Sequence, residues 1–378
     1  MIPITKPYLG VEEIEAVQKP FETGWLTQGP LVKEFEQKFA EAVGAKYAIC
    51  TTSCTTALFL SLRILGVDRG DEVICPSMSF IATANCIKHS GGVPVFADVE
   101  IESGNISIDS IKSLIGPRTK GVIIVHQLGM PANIDEIRSL CAENNIFLLE
   151  DSACALGSMY FGRRLCDSTD NISCYSLHPR KVITTGEGGV VTTNCKEVYE
   201  RLSTLRQHGM NLSDLDRHGK GSISFEEYPE VGYNFRMTDI QAAVGIAQLE
   251  KLDFIVKTRR EIAQYYNYRF AETDGVLTPI FDSDIYSNFQ SYSIRLKSGG
   301  ELRRNRMMSY LLKSGISSRR GVMAIHREIP YQDARRDDLE QTNLLTDSSI
   351  LIPIFPGMSK RDMEYVANKT IEASMEVF

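Results

Sequence analysis

After residue 45, the apolar positions of the chain alternate between two patterns. Short, nearly continuous apolar runs predict buried strands at 47–51, 72–75, 93–98, 121–126 and 146–150. Between these runs, apolar residues recur at helical spacing and predict helices at 55–65, 81–89, 108–115 and 134–143. Buried strands that alternate with helices indicate an α/β fold, with a mostly parallel sheet covered on both faces. Ligands of such sheets bind at the carboxyl ends of the strands.

The flanking regions complete this picture. Helical spacing predicts helices at 11–21 and 31–43, another at 196–208 and a long helical region at 240–272. A strand at 291–296, a helix at 302–314 and a closing helix at 360–378 follow. We expect a large α/β domain with an N-terminal arm at 1–250 and a small α+β domain at 251–378, since a chain of 378 residues can bury two cores.

Composition excludes several classes of protein. The net charge of -7 argues against nucleic acid as the main partner. The sequence shows neither the basic start and apolar segment of a signal peptide nor an apolar run long enough to span a membrane. We therefore expect a cytoplasmic protein. The nine cysteines and six histidines lack the spacing of a disulfide framework or a metal site. Phosphate-loop, dinucleotide-binding and serine-hydrolase motifs are also missing.

The most informative stretch is 173–193, where two β-rich runs flank Lys181 and a Gly-Glu-Gly-Gly turn. A lysine on a short connection between strands can reach a buried site. Desolvation there lowers the lysine pKa and frees the amine to form a Schiff base. The alternative is an exposed lysine in a hairpin loop, which is the usual place for this residue.

Other candidate residues follow the strands or lie in a loop. The hydroxyl-rich run 51–56 can form a phosphate cradle at a helix N-terminus or an ordinary helix cap. Phe80 can stack on a planar cofactor or belong to the core. Asp151 ends a buried strand and needs a positive partner, either a protonated pyridine nitrogen or an arginine or helix cap. Trp25 can form a wall of a ligand pocket or pack its loop onto the body.

The order of Asp151, Ser176, Lys181 and the glycine turn resembles the fold-type I enzymes that use pyridoxal phosphate. More narrowly, the chain resembles the DegT/DnrJ/EryC1/StrS family of sugar aminotransferases. The resemblance spans nearly the whole chain and rests on the segments TGWLTQGP, GDEVICPSMSFIATAN, VHQLGMP, LLEDSACALGS, SLHPRKVITTGEGGVVTTN, GYNFRMTDIQAAVGIAQLE and GISSRRGVMAIHREIPY.

The resemblance implies a seven-stranded, mostly parallel sheet between helices, and a cofactor site. Lys181 would form the Schiff base with pyridoxal 5'-phosphate, and Asp151 would pair with the pyridine nitrogen. Ser176 and the Cys54-Thr55 pair would hold the phosphate, although Cys54 stands where the family usually has glycine or alanine.

Further implied roles lie around this site. Phe80 would stack on the cofactor ring. Cys154 occupies a cofactor-contacting position where glutamine or glutamate is usual. Asn234 resembles the asparagine that reaches the phosphate of the neighbouring subunit, which implies a homodimer with shared active sites.

On the substrate side, His326, Arg319 and Trp25 resemble positions near the sugar-nucleotide pocket. The implied activity is transfer of an amino group from an amino acid, usually glutamate, to a nucleotide-linked keto-sugar. The cofactor would pass through its pyridoxamine form, with ping-pong kinetics. The run GYNFRMTDIQAAVGIAQLE and the spacing from Arg319 to His326 resemble perosamine synthases, which aminate C4 of a 4-keto-6-deoxy sugar.

Three alternatives remain open within this resemblance. A sugar dehydratase would have histidine in place of Lys181. A second alternative makes a non-sugar product such as an amino-hydroxybenzoate on the same scaffold. The third is a regulatory protein that binds the cofactor without turnover. No metal, nucleic acid or membrane partner is implied.

Overall fold

The computed structural model describes residues 1–166, 172–212, 225–280 and 284–377. In chain order, its strands are β1 (Tyr47–Thr51), β2 (Glu72–Pro76), β3 (Val93–Ala97), β4 (Thr119–Val125), β5 (Phe147–Asp151), β6 (Met159–Tyr160), β7 (Arg163–Arg164), β8 (Ile172–Ser176), β9 (Gly189–Thr193), β10 (Val276–Leu277), β11 (Ile285–Tyr286), β12 (Tyr292–Leu296), β13 (Arg319–Arg320) and β14 (Ser349–Ile352). The helices are Val11–Ala16, Gln18–Thr23, Pro30–Val43, Cys54–Ile64, Ala82–His89, Ile108–Leu114, Ile134–Glu143, Lys196–Arg206, Asp239–Glu250, Leu252–Phe270, Gly300–Lys313, Glu340–Ser348 and Lys360–Val377. Short 3-10 helices lie at Gln127–Gly129, Ile325–Arg327 and Ile329–Tyr331.

A seven-stranded sheet of order β1-β9-β8-β5-β4-β2-β3 organises the first half of the chain. Strands β3, β2, β4, β5 and β8 run parallel, whereas β9 is antiparallel to both β8 and β1. The mostly parallel α/β architecture is therefore confirmed. The carboxyl ends of β2, β4, β5 and β8 lie at one edge, where the candidate residues follow them.

Helices cover both faces of this sheet. Alternate strand residues point to opposite faces and so pack against different helix layers. In β1, Ile49 packs into a core cluster with the helix Cys54–Ile64. Its neighbours Ala48 and Cys50 pack into a second cluster with the helix Pro30–Val43. Burial on both faces explains why the strands read as continuous apolar runs.

Two helix predictions require correction. The predicted helix 11–21 is two short helices that meet at Val17. The predicted helical region 240–272 is broken at Lys251, which ends the helix Asp239–Glu250 and precedes the next. The ammonium of Lys251 bonds the Glu13 carboxylate at 2.6 and 2.8 Å. Apolar spacing continues across such a break, so the sequence pattern does not reveal it.

A second, four-stranded antiparallel sheet of order β10-β12-β14-β13 lies in the C-terminal part. Tyr292, Ile294 and Leu296 of β12 are buried in its core, whereas Ser293 and Arg295 are half-buried on the other face. The predicted strand 291–296 and helix 302–314 correspond to β12 and Gly300–Lys313, but the sequence pattern did not predict β10, β13 or β14. The closing helix ends at Val377 in the described part of the chain, and residue 378 of its prediction lies outside that part.

Within the described ranges, none of the helices is long and apolar enough to cross a membrane. All nine cysteines are free thiols.

Candidate active site

Lys181 lies on the connection between β8 and β9, as the sequence predicted. The Lys181 backbone N–H donates to the His178 carbonyl at 2.8 Å. The Gln290 side chain donates to the carbonyl of Arg180 at 2.8 Å, which fixes the residue before the lysine. The Lys181 Nζ donates to Cys154 Sγ at 3.1 Å. The lysine thus points toward the end of β5 rather than to solvent.

The charge state of Lys181 differs from the expectation. Burial is the largest single effect and lowers the pKa of Lys181, whereas the adjacent Cys154 raises this pKa through charge and hydrogen bonding. Cys54 and Asp151 act in the same direction, and the net pKa of Lys181 is raised. The expected lowering of this pKa by desolvation is therefore wrong, because the buried amine has acidic neighbours.

Asp151 ends β5 and is buried at the edge of the sheet. Thr83 Oγ1 donates to Asp151 Oδ2 at 2.9 Å, and the Ala153 N–H donates to Oδ1 at 3.2 Å. The bond to Asp151 uses the only hydroxyl proton of Thr83. The Ser79 hydroxyl must therefore be the donor in its 2.8 Å bond to Thr83 Oγ1. Burial raises the pKa of Asp151, and these two hydrogen bonds, followed by the charge of Lys181, oppose the rise. Among the described residues, no arginine, lysine or histidine forms an ion pair with Asp151, so the arginine alternative is not found.

A buried histidine supports the backbone of Asp151. The backbone N–H of His126 donates to the Asp151 carbonyl at 3.2 Å. His126 Nδ1 accepts from the Ala132 N–H at 3.0 Å, so its Nε2 carries the proton and donates to Glu150 Oε2 at 3.2 Å. Glu150 and Asp151 are adjacent on β5 and thus point to opposite faces. The sequence analysis did not identify the pair of His126 and Glu150, although two consecutive carboxylates on a buried strand were a visible signal.

The run 51–56 forms a helix N-terminus beside β8 and β9. Ser53 caps the helix Cys54–Ile64 by accepting from the Thr56 N–H at 3.2 Å. Ser176 pairs with Gly189, and Gly189 pairs with Thr51, so the three strand ends form one row. A Cβ on Gly189 would overlap the Ser53 carbonyl, which explains the glycine. The cap alternative is found, because Ser53 uses the Thr56 N–H. The cap leaves the N–H groups of Cys54 and Thr55 for another acceptor, and the phosphate cradle remains a prediction.

Two amides from the C-terminal part fix the backbone around the lysine. Asn288 is fully buried and donates to the carbonyls of Cys154 and Leu156 at 2.9 and 2.8 Å. Gln290, two residues later, holds the Arg180 carbonyl. Neither amide could be predicted from the sequence, because their contacts are more than 100 residues away along the chain.

His326 lies against the loop that follows β2. Its backbone N–H donates to Ser77 Oγ at 3.3 Å, and the Ser77 hydroxyl donates to His326 Nδ1 at 2.7 Å. Burial lowers the pKa of His326, and the charges of Arg327 and Arg336 lower it further. The histidine is therefore neutral near pH 7, and its Nδ1 is occupied.

The remaining predicted residues lie at the surface. Phe80 is 71% exposed, so the core alternative for it is wrong. Asn234 is exposed, and the carbonyl of the next residue, Phe235, accepts from the Thr52 N–H at 3.1 Å. Arg319 is exposed on β13 and forms no side-chain hydrogen bond or ion pair with the described residues.

Trp25 is half-buried and packs beside Gly29, in the loop before the helix Pro30–Val43. Asp239 fixes this loop by accepting from the Gly29 N–H at 2.6 Å and from the Leu31 N–H at 3.1 Å. Packing of the loop accounts for the position of Trp25, and its proposed role at a ligand pocket remains a prediction.

Comparison with known proteins agrees with this geometry. The model of the DegT/DnrJ/EryC1/StrS aminotransferase family matches residues 7–370. The chain belongs to this family. It is 34% identical over 370 residues to the spore coat polysaccharide biosynthesis protein SpsC of Bacillus subtilis, covering 97% of this chain and 95% of SpsC.

Two solved structures illustrate the similarity. Helicobacter pylori PseC, an aminotransferase involved in the biosynthesis of pseudoaminic acid, is 29% identical with a TM-score of 0.91 and 99% of both chains covered. The putative sugar aminotransferase Spr1654 of Streptococcus pneumoniae is similar in its PMP form (26% identity, TM-score 0.93, 100% of both chains). Its PLP form is 27% identical with a TM-score of 0.91, covering 100% of this chain and 99% of that one. The chain is thus a pyridoxal-phosphate-dependent aminotransferase.

The residues at the sheet edge fit this cofactor. Ser176 and the helix N-terminus at Cys54 and Thr55 offer donors for a phosphate. Asp151 is a buried carboxylate that has hydrogen-bond donors but no ion pair in the described residues, which suits a protonated ring nitrogen. Lys181 would provide the amine.

Proposed function

We propose that this aminotransferase moves an amino group from glutamate to C4 of a nucleotide-linked 4-keto-6-deoxy sugar. The observation that carries the chemical part is the contact of Lys181 Nζ with Cys154 Sγ at 3.1 Å, beside the buried Asp151. When bound, the cofactor supplies an electron sink for proton transfer at the carbon that bears the nitrogen. Asp151, oriented by Thr83 and Ala153, would keep the ring nitrogen protonated.

Lys181 would carry the proton in both half-reactions. Its Nζ lies next to an acidic neighbour, Cys154, and near the Asp151 carboxylate, so its protonated form is stabilised. To act as a base again, Lys181 must lose its ammonium proton. Movement of Nζ away from Cys154 would make this loss easier. The Gln290 contact on the Arg180 carbonyl limits how far the lysine backbone moves.

The sugar acceptor is supported by the relatives of this chain, which include proteins of spore coat polysaccharide and pseudoaminic acid biosynthesis. The Ser77 hydroxyl bonds His326 Nδ1, and the Ser77 carbonyl accepts from the Ser79 N–H at 3.2 Å. The Ser79 hydroxyl bonds Thr83 Oγ1, which donates to Asp151. We propose that the sugar lies near His326, which contacts the same loop that orients Asp151.

We further propose a homodimer with shared active sites, in which Asn234 reaches the phosphate of the partner subunit. Asn234 is exposed and lies one residue before Phe235, whose carbonyl binds Thr52 at the phosphate cradle. A side chain in this position can face a second copy of the same edge. Sedimentation equilibrium of the purified protein tests the assembly, and a monomer at working concentration would contradict it.

The decisive experiment combines a spectrum with a product assay. The cofactor-loaded protein should show a band near ~400 nm that disappears when glutamate is added, and Lys181→Ala should lack the band. Mass spectrometry should then detect amination of a nucleotide-linked 4-keto-6-deoxy sugar. Amination of a 3-keto sugar alone would refute the C4 assignment. Amination of a cyclic keto acid, with no amination of any sugar, would instead favour the non-sugar alternative.

A further inference from the structure

A cavity of about 240 Å³ lies between the C-terminal sheet and three loops of the seven-stranded sheet. The loops follow β2, β3 and β4 and contribute Met78, residues 101–104, and Gln127, Leu128 and Met130. Neither Lys181, Asp151 nor His326 belongs to its lining. The cavity is therefore separate from the site described above.

One wall is the open face of the C-terminal sheet. Leu277 of β10, Arg295 of β12 and Ser349 of β14 are direct cross-strand neighbours, and all three line the cavity. Ser293, two residues from Arg295, lies on the same face, because side chains alternate along a strand. This face of β12 is polar, whereas its other face is the buried core.

Arg295 gives the cavity its chemical preference. Its side chain is half-buried and forms no hydrogen bond or ion pair with the residues that the structure describes. A guanidinium in such a position favours a planar carboxylate. Met78, Leu128 and Leu277 line the same space and favour an apolar body.

Glu102 also belongs to the lining and is exposed. Its negative charge offsets part of the attraction of Arg295, so a single negative charge on the ligand is favoured over two. The volume is below that of pockets for drug-sized ligands, which indicates a small molecule.

The segment from 287 to 291 connects this cavity with the lysine. Ser287, Phe289 and Ser291 line the cavity, while the alternate residues Asn288 and Gln290 point to the active-site backbone. Asn288 and Gln290 hold the carbonyls next to Lys181 and Cys154, as described above. A ligand that contacts Ser287, Phe289 or Ser291 therefore restrains the same segment from which Asn288 and Gln290 hold the active-site backbone.

We propose that the cavity is a binding site for a small organic monocarboxylate with an apolar body, and that its occupancy stabilises the 287–291 segment. Arg295 binds the carboxylate, the apolar side chains contact the body, and the serine hydroxyls supply further donors. The site does not depend on which sugar or amino donor the enzyme uses.

Benzoate is a suitable probe, with benzamide as its neutral counterpart and sulfate as a dianion. Isothermal titration calorimetry of the cofactor-loaded protein should show that benzoate binds and that benzamide and sulfate bind more weakly. Arg295→Gln should weaken benzoate binding about tenfold or more, while Arg306→Gln, at an exposed arginine of the helix Gly300–Lys313, should leave it unchanged. Ser293→Leu, which fills the cavity without removing the charge, should also abolish binding.

Hydrogen exchange measured by mass spectrometry locates the ligand. Benzoate should protect peptides that contain 101–104, 127–130 and 287–291 in the wild type but not in Arg295→Gln. Failure of benzoate to bind, or equal binding by wild type and Arg295→Gln, would overturn the proposal. Protection confined to peptides around Lys181 would do so as well, since it would assign the anion to the active site. None of these outcomes depends on the identity of the amino donor or the sugar.

Discussion

Two groups of the proposed active-site residues are held in different ways. The inner group, which comprises Lys181, Cys154, Asp151 and Thr83, is connected by hydrogen bonds within one chain. The outer group, which comprises Phe80, Asn234 and Arg319, is exposed. If the inner group carries the proton chemistry, as proposed, that chemistry is built into the single chain, because it needs burial and fixed geometry. Recognition of a large substrate needs an open surface, which a second subunit can complete.

The strongest test of the inner group is Lys181→Ala. Without the amine, proton transfer at the donor carbon loses its base, and turnover should fall by about 1000-fold or more. Single-turnover conversion of the loaded enzyme with glutamate measures this loss. The matched control is Lys196→Ala, at an exposed lysine paired only with Glu200 among described carboxylates, and it should retain full activity. Near-normal turnover by Lys181→Ala would remove the lysine from the mechanism.

Asp151→Asn should separate activity from stability. If the carboxylate keeps the ring nitrogen protonated, as proposed, its loss should lower kcat by about 100-fold to 1000-fold. Burial raises the pKa of Asp151 and so disfavours its charge, which the amide removes. The amide also loses one of the two acceptors for Thr83 and Ala153, so the two effects oppose each other and the melting temperature should change little. Calorimetry and steady-state kinetics measure both effects. A large loss of stability with normal kcat would show that Asp151 acts only in folding.

Asn288→Ala tests the support of the inner group. The substitution leaves the carbonyls of Cys154 and Leu156 without their donor in a fully buried position, which should lower the free energy of unfolding by about 2 to 3 kcal/mol. Urea denaturation measures this change. Asn144→Ala serves as the control, since this asparagine is exposed and donates only to the Leu140 carbonyl of the adjacent helix end. If Asn288→Ala has the same free energy of unfolding as the wild type, the hydrogen bonds of Asn288 do not stabilise this region.

Two members of the inner group, Asp151 and Lys181, could be proposed from the sequence because they follow or connect strands, whereas Thr83 could not. Asp151, Ser176 and Lys181 are identified by strand ends and a glycine turn, and a parallel sheet brings such ends to one edge. Gly189 was part of this pattern, although its close approach to Ser53 is visible only in three dimensions.

The sequence could not predict contacts set by tertiary packing. Asn288 and Gln290 lie in a segment that no apolar pattern marks, and their partners are distant along the chain. The direction of the Lys181 pKa shift depends on Cys154, which only the folded chain brings to 3.1 Å. The short strands β10, β13 and β14 have too few residues to show a period.

Cys154→Ala alters the surroundings of Lys181 while leaving the other members of the inner group in place. Cys154 is the main cause of the raised pKa of Lys181, so its removal lets burial lower that pKa. Attack on the cofactor aldehyde requires the neutral amine, whose fraction rises about tenfold per pH unit below the pKa.

In the wild type, the rate of the ~400 nm band's appearance should therefore rise through pH 9 without a plateau. In Cys154→Ala the profile should shift to lower pH, giving about a tenfold faster reaction at pH 7.5. Stopped-flow absorbance measures the rates, and Cys195→Ala, at a half-buried cysteine elsewhere, is the control. Identical profiles for wild type and Cys154→Ala would mean that the thiol does not set the charge of the lysine.

The smallest effect is expected in the outer group, at Arg319. Its side chain is exposed and has no ion pair in the described part of the chain, so Arg319→Ala should not change the free energy of unfolding. If Arg319 contacts the nucleotide, its loss removes a solvent-screened interaction and should raise the substrate KM about two- to fivefold with kcat unchanged. The neighbouring Arg320 points to the opposite side of β13 and lies 3.9 Å from Glu328, so Arg320→Ala is a matched control. Equal KM effects for both substitutions would indicate a general contribution of positive charge rather than a contact, whereas a fall in kcat at Arg319 would place this residue with the inner group.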